Sequence, residues 1–282
     1  MEKDVNMENG NKIFCLIIAL LIDASSFAYG ELSSRKRLLF FFDKIEVNGE
    51  VNVFLEEGKR NREATLYADS EIIDSVITRV SQRTLYIDAN NTFALGRRLP
   101  FVRLNAKRIF PVEIIISIDN LREINVHDTS NLTSVGLRSD RLSVFCSTAG
   151  KVHIENLSCP AMLLRHEGTG TVVLRGKTVK QLEAQVFGNG SLRAEDLHVE
   201  QAALTHQGKG SVHLSAQTWL DARMRGTGSL LLHRKPQKMV VDQAGQGTVR
   251  DIIEGKLPYL DLNASIPQLG IKYDLGKRRT EN

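Results

Sequence analysis

The chain has 282 residues, 42% hydrophobic and 25% charged, a balance that fits a folded soluble domain and excludes general disorder. Its 37 basic and 33 acidic residues leave a formal charge of +4 spread along the sequence, which gives no case for nucleic acid. Glycine outnumbers proline 21 to 6, the mark of tight turns between regular strands.

Residues 1–30 read as an export signal. Residues 14–22 form an unbroken apolar run, preceded by Lys12 and followed by Ser25, Ser26, Ala28 and Gly30. A membrane-spanning helix needs about 20 apolar residues, so this run fits a signal-peptide core instead. The acidic lead of Glu2, Asp4 and Glu8 makes Met7 an alternative start. The expectation is an exported protein with no transmembrane span in its mature chain, placed in the periplasm, on the outer-membrane surface or outside the cell. Residues 31–43 would be a linker. Two cysteines then remain, Cys146 and Cys159. Export permits a disulfide between them, but spacing alone does not bring the sulfurs together, and two buried thiols are expected.

The N-terminal β region is assigned to 44–118. Ile45-Glu46-Val47-Asn48-Gly49-Glu50-Val51-Asn52-Val53 alternates apolar and polar about a glycine, as strand–turn–strand does. Leu66-Tyr67-Ala68, Thr84-Leu85-Tyr86-Ile87 and Val112-Glu113-Ile114-Ile115-Ile116-Ser117-Ile118 continue it. Residues 71–80 fit either a strand or one short helix. The basic stretch with Arg97, Arg98, Lys107 and Arg108 reads as a surface excursion.

Regular repeats follow over 119–253. Gly168-Thr169-Gly170, Gly188-Asn189-Gly190, Gly208-Lys209-Gly210, Gly226-Thr227-Gly228 and Gly245-Gln246-Gly247 share one pattern, and Ala149-Gly150 fits it. With Ser130-Asn131 taken as the first corner, the second small residue falls at 131, 150, 170, 190, 210, 228 and 247, steps of 19, 20, 20, 20, 18 and 19. Six positions before each second glycine stand Val144, Leu164, Ala184, Leu204, Ala222 and Val241. Two positions after it stand Val152, Val172, Leu192, Val212, Leu230 and Val249. Period-two alternation on both sides of a glycine turn means strands and excludes a helix. A unit this short cannot bury its own apolar face, so the units must stack, about 4.8 Å apart. The fold expected is all-β, a parallel β-solenoid with ~20-residue coils cornered by Gly-x-Gly turns. Positive φ is the reason expected for the corner glycines. Residues 254–282 would close the stack, with strands at Leu260-Asp261-Leu262 and Ile271-Lys272-Tyr273 and a frayed basic tail.

Catalytic chemistry is sought next, because solenoids of this kind can carry polysaccharide-cleaving sites. Such sites need acids converging on one face. Asp128, Asp140, Asp196, Asp221, Asp242 and Asp251 occupy different offsets in the repeat, which reads as solvated surface charge. One column, four residues before the second corner residue, reads His127, Cys146, His166, Val186, His206, Met224 and Gln243. His127, Cys146 and His166 are candidate Zn²⁺ ligands by residue type, against hydrogen-bonded histidines beside a turn. A second column, three residues after the glycine, reads His153, Val173, Arg193, His213, Leu231 and Arg250, outward and partly basic. It could meet an anionic polysaccharide or lipid headgroup, or be a solvated face. No catalytic residue, cofactor or phosphate loop is expected, since each Gly-x-Gly precedes a strand and not a helix.

The opening Phe42-Asp43-Lys44-Ile45-Glu46-Val47-Asn48-Gly49-Glu50-Val51-Asn52-Val53, then Leu85-Tyr86-Ile87 and the serial Gly-x-Gly-Ser/Thr-Val/Leu turns, resemble the auto-transporter adhesin head GIN domain family. The resemblance covers about 42–253. It implies a right-handed β-helix without catalytic residues and a role in adhesion at the cell envelope. The sequence departs from a complete auto-transporter in having no coiled-coil stalk heptads and no C-terminal barrel strands. The implied function is a non-catalytic binding module whose partner is a surface ligand, a polysaccharide or an envelope protein, with a homo-oligomer also open. A pectin-lyase-like enzyme and a periplasmic scaffold are the alternatives.

Overall fold

The computed structural model describes residues 31–58, 62–90 and 111–252, and these form seventeen strands in one wound sheet. The first nine are β1 (Leu32–Leu38), β2 (Lys44–Asn48), β3 (Asn52–Glu57), β4 (Glu63–Asp69), β5 (Ile77–Ser81), β6 (Thr84–Asp88), β7 (Glu113–Ile118), β8 (Glu123–Val126) and β9 (Asn131–Val135). The rest are β10 (Arg141–Cys146), β11 (Lys151–His166), β12 (Thr171–Val186), β13 (Ser191–His206), β14 (Val212–Met224), β15 (Leu230–Arg234), β16 (Lys238–Gln243) and β17 (Val249–Asp251).

Two parallel ladders run the length of the stack. The one before the glycine corner joins β6, β2, β8, β10, the second halves of β11 to β14, and β16. The one after the corner joins β7, β3, β9, the first halves of β11 to β14, β15 and β17. Register irregularities inside β11, β12 and β13 mark where each long strand bends between the ladders. The fold is therefore the expected β-solenoid. Its core is the apolar columns named above: Val144 through Val241 and Val152 through Val249 are all at most 3% exposed. Alternation explains this directly, since one face of each strand points into the coil.

Chain order and stack order differ at the N-terminal end. The β2–β3 rung pairs with β6–β7 on one side and with β8–β9 on the other. The chain thus starts in the second rung, goes outward to build the first, and returns. Antiparallel strands finish that end: β5 on β6, β4 on β7, and β1 on β4. Residues 31–43, read above as a linker, supply β1. Residues 71–80 are a turn leading into β5 and not a helix.

The corner glycines need a different explanation from the one expected. Among the described glycines positive φ occurs at Gly49 (93°) and Gly136 (81°), not at the repeat corners; the non-glycine Asp128, at the first corner, has φ 57°. A Cβ on Gly170, Gly190, Gly210, Gly228 or Gly247 would instead come within 3.0 Å of the carbonyl oxygen of Gly150, Gly170, Gly190, Gly210 or Gly228 below it. Gly168, Gly188, Gly208, Gly226 and Gly245 stack in the same way on Thr148, Gly168, Gly188, Gly208 and Gly226. Glycine is required because successive corners touch through their backbones. Gly190 N–H donates to Gly168 O at 3.0 Å, and Gly228 N–H to Gly208 O at 3.1 Å.

The expected signal, the basic stretch 97–108 and the closing strands lie outside the described residues. Cys146 and Cys159 are separate buried thiols, each pushed up to about 12 by burial.

Candidate functional site

The corner column comes first, because it held the metal candidates. Ladder pairing runs Cys146, His166, Val186, His206, Met224, Gln243, as the spacing indicates. His127 does not belong to it. Val126 pairs with Cys146, and Ser130, not Asn131, lies beneath Gly150, so the first step is 20 residues and the register shifts by one. His127 sits off the column, with Nδ1 2.7 Å from Ser147 Oγ. His127, Cys146 and His166 therefore do not converge. Among the described residues no three His, Cys, Asp or Glu side chains are grouped to hold a metal ion.

His166 and His206 are fully buried and act as corner clamps. His166 Nε2 lies 3.1 Å from Gly170 O, and His206 Nε2 lies 2.8 Å from Gly210 O. Gly208 N–H donates to His206 Nδ1 at 3.3 Å, which sets the Nε2–H tautomer there. Gln243 donates to Gly247 O at 2.6 Å from the same position. Each clamp returns a side-chain N–H to the corner four residues ahead. Burial holds the His166 pKa below the usual histidine value, and its carbonyl partners only partly offset this.

The column three residues after the glycine is outward, as read from the sequence. Pairing places His153, Val173, Arg193, His213, Leu231 and Arg250 on successive rungs. A parallel file of acids and bases borders it. Arg175 bridges Glu155 at 3.2 Å and Asp196 at 3.3 Å, while Arg193 meets Glu195 at 2.7 Å. His213 Nδ1 and His233 Nε2 are 3.0 Å apart, one donating and the other accepting. Burial works against the Glu195 carboxylate, yet hydrogen bonds from its own N–H and from Arg193 keep its pKa below the ordinary value. Burial also lowers the His213 pKa, against the pull of Glu195.

The aspartates do not converge on one face, although Asp242 on the rung above adds to the burial that raises the Asp221 pKa. Asp128 accepts from Gly49 N–H at 2.8 Å, and Asp242 is held by Arg225. Asp221, expected at the surface, is 2% exposed beside Trp219, and neither carboxylate oxygen has a hydrogen-bond partner. Burial raises its pKa. The reading of hydrogen-bonded histidines beside a turn holds for His166 and His206; what the sequence did not name is the acceptor, the glycine carbonyl four residues ahead.

The sequence model of the family described as "Putative auto-transporter adhesin, head GIN domain" matches residues 41–236, more than half of the chain. The chain belongs to this family. Solved structures repeat the architecture of this GIN domain. A "putative adhesin" from Bacteroides fragilis is 21% identical with a TM-score of 0.69, covering 79% of this chain and 98% of that one. A "putative lipid binding protein" from Parabacteroides distasonis is 17% identical with a TM-score of 0.60, covering 78% and 96%. A "putative adhesin" from the same species is 18% identical with a TM-score of 0.52, covering 78% and 96%. At these identities the likeness shows the fold. No curated protein matches the chain.

Proposed function

We propose that this GIN domain is an exported, non-catalytic binding module of the bacterial cell envelope, and that its outward ladder holds an anionic surface polysaccharide. One observation carries the reading. The column sets His153, Arg193, His213 and Arg250 in one file along the parallel sheet, with apolar Val173 and Leu231 on the intervening rungs and Arg175 and His233 beside it. Donors spaced one or two rungs apart, at ~4.8 Å per rung, suit an extended ligand better than a compact one. The acids alongside hold the arginines in place and temper the charge, so affinity should be modest and fall with salt.

Polygalacturonate titrated into the protein is the test. The expected result is saturable binding without turnover, weakened at least tenfold by Arg193→Glu together with Arg250→Glu. Cleavage of the polymer would favour the enzyme alternative, and no binding to any acidic polysaccharide would end the reading. Protease accessibility on intact cells separates surface display from a periplasmic scaffold.

A further inference from the structure

Four large apolar side chains are exposed within ten residues at the N-terminal end: Leu32 at 52%, Leu38 at 88%, Phe40 at 82% and Phe41 at 47%. The described residues expose only three others to this degree, Ile77, Val135 and Ile252, scattered through the fold. The cluster is built and not a loose end. β1 pairs with β4 through Leu38 and Glu63, Leu39 N–H donates to Arg62 O at 2.7 Å, and Phe42 is fully buried. Leu38 and Phe40 are thus held outward between fixed points.

Cations surround them. Arg83 lies over the Phe41 ring at 5.2 Å, and Arg83 and Arg122 reach Asp43 at 2.7 and 3.5 Å, with both guanidinium groups still more than half exposed. Arg35, which pairs with Asp74 at 2.8 Å, and Lys36 lie on β1, and Arg62 lies beside Leu39. With the Arg35–Asp74 pair set aside, the five cations Lys36, Arg37, Arg62, Arg83 and Arg122 stand against the two acids Asp43 and Glu63. The charge is therefore cationic around an apolar tip.

We propose that Leu38, Phe40 and Phe41 form a wedge that docks this end of the solenoid on an anionic phospholipid surface. Two protruding side chains cover far less than the roughly 1,200 Å² that a stable protein interface buries, but they suit a soft boundary that closes around them. Each basic side chain adds attraction to anionic headgroups, screened by salt. β1 is the outermost strand of its ladder and Arg250 lies on β17 at the opposite end, so docking here leaves the outward file free.

The test uses the full chain carrying Phe40→Trp, with buried Trp219 as a constant background. Phosphatidylglycerol-containing vesicles should shift position-40 emission to the blue, with quenching by brominated acyl chains. Leu38→Ser, or Lys36→Glu with Arg62→Glu, should weaken the apparent affinity at least tenfold. A shift that these substitutions leave unchanged marks anchoring through residues 14–22 and overturns the proposal. No shift with any vesicle overturns the proposal. So does an equal shift on phosphatidylcholine alone, or a shift that follows protein concentration without lipid, which marks self-association.

Discussion

At the residue scale, His166 shows what a buried polar group in a repeat must do. Its ring fills the corner, satisfies Gly170 O and lies under Gly190 of the next rung, where the column changes to Val186. His206 repeats this under Gly228, and the column changes to Met224. No two rings stand on adjacent rungs of this column. Because burial holds the His166 pKa below its unfolded value of 6.5, the folded state binds the proton less readily than the unfolded one. That stabilisation is complete above the unfolded pKa and is lost as pH falls below it toward the folded pKa. His166→Gln keeps a donor for Gly170 O, as Gln243 does natively for Gly247 O, and removes the titration. Urea midpoints at about pH 7 and about pH 5 should fall for the wild type and fall less for the variant. Equal losses would show that His166 does not carry this dependence. The column and a hydrogen-bonding role beside the turn were readable from the sequence, but the acceptor was not, because it is a backbone carbonyl. His127 was misplaced because Asn131 imitates the second corner residue, a one-residue slip that turns a side chain to the other face.

At the element scale, the repeat was plain in the sequence because each rung must supply the same inward apolar residues. The N-terminal stacking was not. Nothing in the residues of β6 and β7 tells whether they lie before or after β2 and β3, since each strand offers the same alternation to either neighbour. The corner glycines were located correctly but explained by conformation when close approach is what requires them. Gly190 does not have a positive φ, so Gly190→Ala tests the close approach alone. If the corner were open, alanine at its compatible φ would stabilise by about 0.4–1 kcal/mol through the unfolded chain. A Cβ there instead meets both Gly170 O and the His166 ring. The variant should lose about 1–3 kcal/mol, as overpacked sites do. Guanidinium denaturation measures the sign, and a gain in stability would show that close approach does not require glycine there.

At the scale of the whole molecule, a solenoid is close to a one-dimensional stack in which each rung contacts its neighbours only. Removing whole rungs should therefore leave a foldable protein, provided the new junction respects the columns. Deleting 171–210 joins Gly170 to Ser211 and sets His166 beneath Met224, the order that His206 already has. Deleting 171–190 keeps the register but puts His166 directly beneath His206, two rings on adjacent rungs. Deleting 171–180 joins strands out of phase and destroys the pairing. The forty-residue deletion should unfold cooperatively with a denaturant slope roughly a fifth lower, in proportion to the surface removed. The twenty-residue deletion should fold but be less stable than the longer one, although it loses fewer rungs. That inversion is specific to the corner column, because a sum of identical rungs would rank the two the other way. Denaturation of the three proteins under one condition tests it, and a shorter deletion more stable than the longer would show that the alternation of rings is incidental.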